Sequence, residues 1–328
     1  MKIGHQLINK ESMKIQVNEN KEIWDNFVSQ SPQGCIFLYS KFLDSLNKKY
    51  EIITCIDDGG EVLAGCVILF DENKRPIKNI HAFTQYQGLI LKDFSVLSNH
   101  KRISKEFKII EFFIEELTKK YPSLCFCQHY NFDDMRAFQW YNYHEREKGT
   151  FKIDLRYSGV LDLTKFKSFD DYLMSVRPVR RQEFNKVKDI EFRWIKDEKI
   201  LDGIHKKTFE RQNIERSEEE SALLKSITKN AIDFGYGKLC AAYFENKPIS
   251  SILFIYDNTT AYYLFGANDP EYRNLFGGNF LMLNMIRDAF ENDIEKIDFV
   301  GVNSPNRGDY KLSYNGELKP YFILKLEE

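Results

Sequence analysis

KLCAAYFENKPISSILFIYDNTTAYYLFGANDPEYRNLFGGNFLMLNMIRDAFENDIEKIDFVGV, residues 238–302, decides the fold. KLCAAYFE, PISSILFIYD and TAYYLFGA are runs of β-branched, aromatic and small apolar residues and read as three strands. Glu245-Asn246-Lys247 and Asp257-Asn258-Thr259 separate them and are the size of hairpin loops. GGNFLMLNMIRDAFEND follows as a helix and KIDFVGV as a strand. A short helix and a last strand, LKPYFILKLE, close the chain. A meander, then a helix, then strand, helix and strand is an α+β pattern.

Upstream, IEFRWI reads as another strand, and EKILDGIHKKTFERQN and SEEESALLKSITKNAIDFG as helices. The second opens with Ser217 and Glu220 in capping-box spacing. DDYLMSVRPVRRQEFNKVKD is a helix interrupted or started near Pro178. The first half shows a similar order. KEIWDNFVSQ is a short amphipathic segment, SPQG a turn and YSKFLDSLNKKY a helix. EIITCID and EVLAGCVILF flank Asp57-Asp58-Gly59-Gly60, a hairpin signal. In ISKEFKIIEFFIEELTKKY, the residues Ile103, Phe107, Ile110, Ile114 and Leu117 fall at helical spacing, and SLCFCQHY reads as a strand. The recurrence suggests an internal duplication. The join lies near 145–160, without a Gly/Ser or Pro-rich linker. The expectation is a domain over 1–150 and a second over 151–328, packed together.

The chain has 328 residues, enough for two cores. Hydrophobic residues make up 43% and charged residues 29%, which fits a folded protein and not a disordered one. The net charge of −2 gives no basic footprint for duplex DNA. No run reaches the length of a membrane span, and MKIGHQLINKESMKIQ lacks a leader's apolar stretch, so a cytoplasmic location is expected. Peripheral contact with a membrane stays open. The 27 Phe and 18 Tyr fill cores and are also suited to lining a groove. The six cysteines form no CxxC pair and read as reduced core thiols. Cys125, Cys127 and His129 alternate, so a strand would set them on one face. A buried strand face explains them without a fourth ligand, and no metal is expected.

Three segments carry a resemblance: Arg177-Pro178-Val179-Arg180-Arg181, the strand pair through Tyr262 and Tyr263, and Ile297-Asp298-Phe299-Val300-Gly301 followed by Gly308-Asp309-Tyr310-Lys311-Leu312-Ser313-Tyr314. Taken whole, this order resembles the FemAB-like acyltransferases. This tandem-GNAT group includes peptidoglycan-bridge aminoacyl transferases and many acetyltransferase relatives. The first half carries the resemblance through Trp24, the Ser31-Pro32-Gln33-Gly34 turn and TQYQGLIL. The resemblance implies two GNAT-like α+β domains, each a mixed, mostly antiparallel sheet flanked by helices, with the chemistry in the second.

Acyl transfer needs a pyrophosphate cradle, a group to stabilise the oxyanion, and help with protons. By the resemblance, the cradle lies at Arg273, Gly277, Gly278 and Asn279. Glycines and a helix N-terminus there admit an anion. The GNAT spacing from Arg273 is met by Gly278 at +5, but +3 is Phe276. Lys311 occupies the family's aromatic-Lys position, near the transferred acyl group, and an ammonium suits an oxyanion. Asp298, at a strand end, is a candidate to orient substrate or act as base. Tyr263 is a candidate proton donor. Arg177, Arg181 and Lys188 fall at i, i+4 and i+11 on one helix face, with Arg180 beside them. With Arg307 and Tyr310 they are candidate contacts to an acceptor's phosphates.

The expected function is acyl transfer from acyl-CoA, acetyl-CoA above all, or an acyl carrier. The acceptor would be an amino or hydroxyl group of a sugar, nucleotide-sugar or lipid-linked cell-envelope precursor, with no permanently bound cofactor. The alternatives are a Fem-type transferase using aminoacyl-tRNA, which the lack of a coiled-coil arm disfavours, and a catalytically silent binding or scaffold protein, which Phe276 favours. No GxSxG, P-loop, HExxH or GxGxxG motif competes.

Overall fold

Residues 12–211 and 215–327 are described by a computed structural model of the chain. The N-terminal stretch read for a leader lies largely outside them, as does the end of the EKILDGIHKKTFERQN helix. The first half contains β1 (Met13–Val17), α1 (Lys21–Gln30), α2 (Ser40–Leu43), β2 (Lys49–Asp57), β3 (Val62–Phe70), β4 (Ile90–Leu91), α3 (Asn99–Lys120), β5 (Cys125–Cys127), α4 (Arg136–Trp140) and β6 (Thr150–Asp162). Then come α5 (Phe169–Ser175), α6 (Pro178–Lys186), β7 (Ile190–Ile195), α7 (Glu198–Glu210), α8 (Glu218–Asp233), β8 (Gly237–Phe244), β9 (Lys247–Tyr256), β10 (Thr260–Asn268), α9 (Gly277–Glu291), β11 (Lys296–Asp298), α10 (Pro305–Leu312) and β12 (Glu317–Glu327).

The chain divides into two compact units. Unit 1 takes the described residues up to Leu43, Lys48–Leu155 and those from Tyr321; unit 2 takes Asp44–Asn47 and Arg156–Pro320. The expected division at 150/151 thus differs in detail. The chain leaves unit 1 inside β6 and returns inside β12, because a strand needs no loop to pass from one core to another.

In unit 1, β1, β2, β3 and β4 form an antiparallel sheet in that order, and β5 pairs with β12 through Ile323↔Cys127. α3 buries Ile109, Ile110, Phe113, Ile114 and Leu117 against Ile53, Leu63 and Cys66. Two readings need correction. The helix expected over 39–50 is one turn of α2 and a 3-10 turn, because Asn47 takes a left-handed φ of 54° and β2 starts at Lys49. The Cys125/Cys127/His129 face also fails, since β5 ends at Cys127 and His129 Nδ1 accepts from Asn131 N–H instead.

In unit 2 the strand order is β6-β11-β10-β9-β8-β7. Neighbours run antiparallel except β10 and β11, which are parallel. The apolar α9 lies in the core with Leu281, Met285 and Ile286 fully buried beside Phe254, Tyr172 and Tyr314. Pro178 starts α6, as its fixed φ favours. α6 ends at Lys186, so Lys188 lies beyond the helix and the expected i, i+4, i+11 face is not formed.

Candidate active site

β10 and β11 run side by side only for Thr260↔Lys296, Ala261↔Ile297 and Tyr262↔Asp298. β10 then continues on β9 to Asn268, with a bulge between Tyr263 and Phe265, while β11 stops. The strands part, and the local sequence explains why. Asp298, fully buried, accepts hydrogen bonds at Oδ1 from the Ser158 hydroxyl (2.5 Å) and Val300 N–H (2.7 Å). Gly301 N–H donates to Ser158 Oγ at 3.2 Å. These bonds turn the chain through left-handed φ values of 51° at Val300 and 69° at Gly301.

Lys311 stands behind this turn on α10. Its Nζ donates to the carbonyls of Val300 (2.6 Å) and Gly301 (3.0 Å) and lies 5.5 Å from the Tyr263 ring centre. Burial lowers its pKa to about 8; Asp298 acts to raise it and Arg307 to lower it. Arg307 itself is exposed, on the same helix.

Tyr262 and Tyr263 point opposite ways, as successive strand residues do. Tyr262 is buried and donates to Asp257 Oδ2 at 2.6 Å. Tyr263 packs against Phe254, with Lys311 Nζ among its other contacts. Burial, then the neighbouring Tyr310, pushes its phenol pKa up, so it carries its proton near neutrality. The ring folds over Gly266, where an added Cβ would stand 1.8 Å from Tyr263 Oη.

The N-terminus of α9 opens beside the gap on a cavity of about 330 Å3 lined by Arg180, Arg211, Arg273, Gly278, Asn279 and Tyr310, among others. Phe276 supplies the left-handed turn into the helix, with φ 59°. The glycines also have a packing role. A Cβ at Gly277 would meet Ser250 Oγ at 2.6 Å, and one at Gly278 would meet Asn268 Oδ1 at 2.3 Å. Their bare Cα atoms let α9 lie close on β9 and β10, which aims the free first-turn N–H groups at the cavity.

The other predicted residues separate into two groups. Asn279 is committed: its Nδ2 donates to Arg180 O (2.8 Å), and its Oδ1 accepts from Tyr314 Oη (2.7 Å), which also stands 2.8 Å from Tyr310 Oη. Arg180 stacks over Tyr310 at 4.7 Å, pairs with Glu183 (2.7 Å) and donates to Ser313 Oγ (2.9 Å). Arg177 is drawn away into a bidentate pair with Asp309 (2.8 and 2.9 Å). Arg181 turns towards Met174 at 3.5 Å. Arg273 is exposed at the cavity and forms no ion pair among the described residues. Sequence reasoning missed Arg211, which caps α7, and Ser158, which shapes the β11 turn; neither sits in a motif.

Residues 177–312 match the family model described as an acetyltransferase (GNAT) domain. No curated protein matches the chain. Among solved structures, FemX superposes with a TM-score of 0.67 at 13% identity, covering 94% of this chain and 96% of that one. A tandem GNAT protein from the clavulanic acid biosynthesis pathway gives 0.57 at 8% identity, covering 96% and 98%. The C-terminal domain of a putative lysylphosphatidylglycerol synthetase from Agrobacterium fabrum gives 0.54 at 9%, covering 93% and 91%. At these identities the likeness is one of fold. Residues 177–312 thus match a GNAT acetyltransferase domain, and the α+β fold of the chain is similar to that of FemX and of the tandem GNAT protein.

Proposed function

We propose that unit 2 transfers an acyl group from an acyl-CoA thioester, acetyl-CoA first among them, to an amino or hydroxyl group of a sugar, nucleotide-sugar or lipid-linked cell-envelope precursor. The observation that carries this reading is the parting of β10 from β11. Among the described residues it leaves one edge of β10 without a strand neighbour beyond Tyr262, on the side of unit 2 that holds the guanidinium-lined helix N-terminus and the buried lysine. In this reading an extended thioester lies along that edge, with its phosphates at Arg211, Arg273 and the α9 N–H groups and its carbonyl beside Lys311.

In this reading the acceptor, as free amine or hydroxyl, attacks the thioester carbonyl. Lys311, as an ammonium, stabilises the oxyanion. When the tetrahedral intermediate collapses, the C–S bond breaks and Tyr263 gives its proton to the leaving thiolate. The proton shed by the acceptor returns to Tyr263 through water. Asp298 is a positioning residue that shapes the turn and sustains the charge on Lys311. Arg180 and Tyr310 wall the acceptor side. The acceptor class is suggested by the names of the FemX and lysylphosphatidylglycerol synthetase neighbours.

The test is thermal melting with acyl-CoAs, followed by thiol release with amino-sugar and lipid-linked acceptors. Acetyl-CoA is expected to raise Tm by mass action, and Lys311→Ala to cut turnover by about 10²-fold or more while the chain still folds. No shift with any acyl-CoA, together with an unaltered Lys311→Ala variant, would overturn the reading. Transfer from aminoacyl-tRNA alone would replace the donor.

A further inference from the structure

Unit 2's sheet ends on β7, whose pairing among the described residues is with β8 alone. Natural edge strands are blunted by proline, a bulge or unpaired charges. β7 has no proline and no bulge, and its two charges, Glu191 and Arg193, pair with each other. Its six residues IEFRWI pair in unbroken register from Ile190↔Phe244 to Ile195↔Leu239. One face of β7 carries Ile190, Phe192 and Trp194. Phe192 and Trp194 meet edge to face at 4.9 Å, yet Trp194 remains 49% exposed. The other face carries Glu191 and Arg193, whose charged heads meet at 2.5 Å, with Arg193 stacked over Tyr243 at 4.2 Å.

We propose that β7 is a self-recognition edge, at which two copies of the chain pair antiparallel about a two-fold axis at Phe192. The strand's own pattern selects this register. A two-fold perpendicular to the sheet keeps facing residues on the same face, so the axis must pass at a residue position. Centred on Arg193, it sets that guanidinium against the partner's Arg193; centred on Glu191, it opposes two carboxylates. Centred on Phe192, it sets Glu191 against the partner's Arg193 and Arg193 against the partner's Glu191. Ile190 then covers the partner's Trp194, and Phe192 meets the partner's Phe192. Both faces agree on one register, and the open backbone groups of the edge find partners.

Sedimentation over a concentration series tests this with the full chain. The wild type is expected to dimerise. Glu191→Arg and Arg193→Glu each set like charges opposite at both cross-strand positions and weaken self-association about tenfold or more. Mixing the two variants restores every opposite pair, so a heterodimer forms from two weakly associating chains. The double swap, Glu191→Arg with Arg193→Glu, dimerises as the wild type does. A wild type monomeric at every concentration overturns the proposal. So do single variants that dimerise undiminished, or a mixture that fails to associate. Both positions are on the surface, and an unchanged circular dichroism melt verifies the fold of each variant.

Discussion

Lys311 Nζ donates to the carbonyl oxygen of Val300 at 2.6 Å, and Val300 is a β-branched residue held at a left-handed φ of 51°. Backbone in that region costs on the order of 1–3 kcal/mol and persists only where neighbours over-determine it. Here Lys311 holds the turn from one side and Asp298 from the other. The residue proposed to stabilise the oxyanion is also the clamp on the loop that parts the strands.

Two outcomes follow for Lys311. Its loss as Lys311→Ala is expected to cut kcat by about 10²-fold or more, while calorimetry finds acyl-CoA binding largely retained. The pH profile gives the second outcome. Burial sets the ammonium's pKa to about 8, so turnover falls as pH rises through that value and the charge is lost. Stability moves the other way. The folded value lies below the ordinary 10.5, so the unfolded chain binds more protons between the two. The Lys311 contribution to stability therefore rises with pH across that window, and Lys311→Met flattens it.

Gly266 is the space into which Tyr263 folds. Gly266→Ala must displace the ring, with an overpacking cost of about 1–3 kcal/mol. In a Tyr263→Ala background that cost is expected to vanish. Urea denaturation of the four proteins of this double-mutant cycle measures the coupling. Equal costs in both backgrounds would contradict the packing described.

Arg211 and Arg273 line the cavity at the start of α9 without ion-pair partners among the described residues. Replacing either by Ala is expected to raise KM for acyl-CoA several-fold and leave kcat nearly unchanged, since phosphates remote from the reacting carbonyl bind alike in ground and transition states. Added salt should weaken the wild type more than the double variant. A fall in kcat without a change in KM would place them elsewhere in the mechanism.

His205 is buried between α7 and α8, where Arg216 donates to its Nδ1 at 2.6 Å and also pairs with Asp202. Because arginine only donates, the ring is neutral with its proton on Nε2. Burial, then the Arg216 charge, lowers its pKa to about 4. The unfolded chain binds the extra proton first, so stability is lost as pH falls from about 6.5 towards 4. His205→Gln is expected to reduce the slope of Tm against pH over that window.

The fold was legible where local chemistry fixes it. Asp57-Asp58-Gly59-Gly60 turns between β2 and β3, Ser217 Oγ caps α8 by accepting from Glu220 N–H at 3.1 Å, and Pro178 starts α6. It was less legible where a single side chain redirects the backbone. Asn47 ends the helix read over 39–50, and Asp298 stops β11 although Phe299 and Val300 continue its apolar run. At the candidate site, Lys311 and Arg273 stood out through the resemblance. Arg211 did not, because residues some sixty positions apart line one cavity there only through the packing of α7 on β9 and β10. The close approach that Gly277 and Gly278 allow to Ser250 and Asn268 carried no signal in the sequence.

The final strand gives the chain an order of assembly. β12 pairs with β5 through Ile323↔Cys127, Leu324↔Phe126 and Lys325↔Cys125, so unit 1 takes its last strand from residues that follow the whole of unit 2. A ribosome finishes unit 2's sequence while β5 still lacks its neighbour. The half translated first is therefore the half that matures last, and a nascent chain stopped after Pro320 leaves it exposed to mispairing and to proteases.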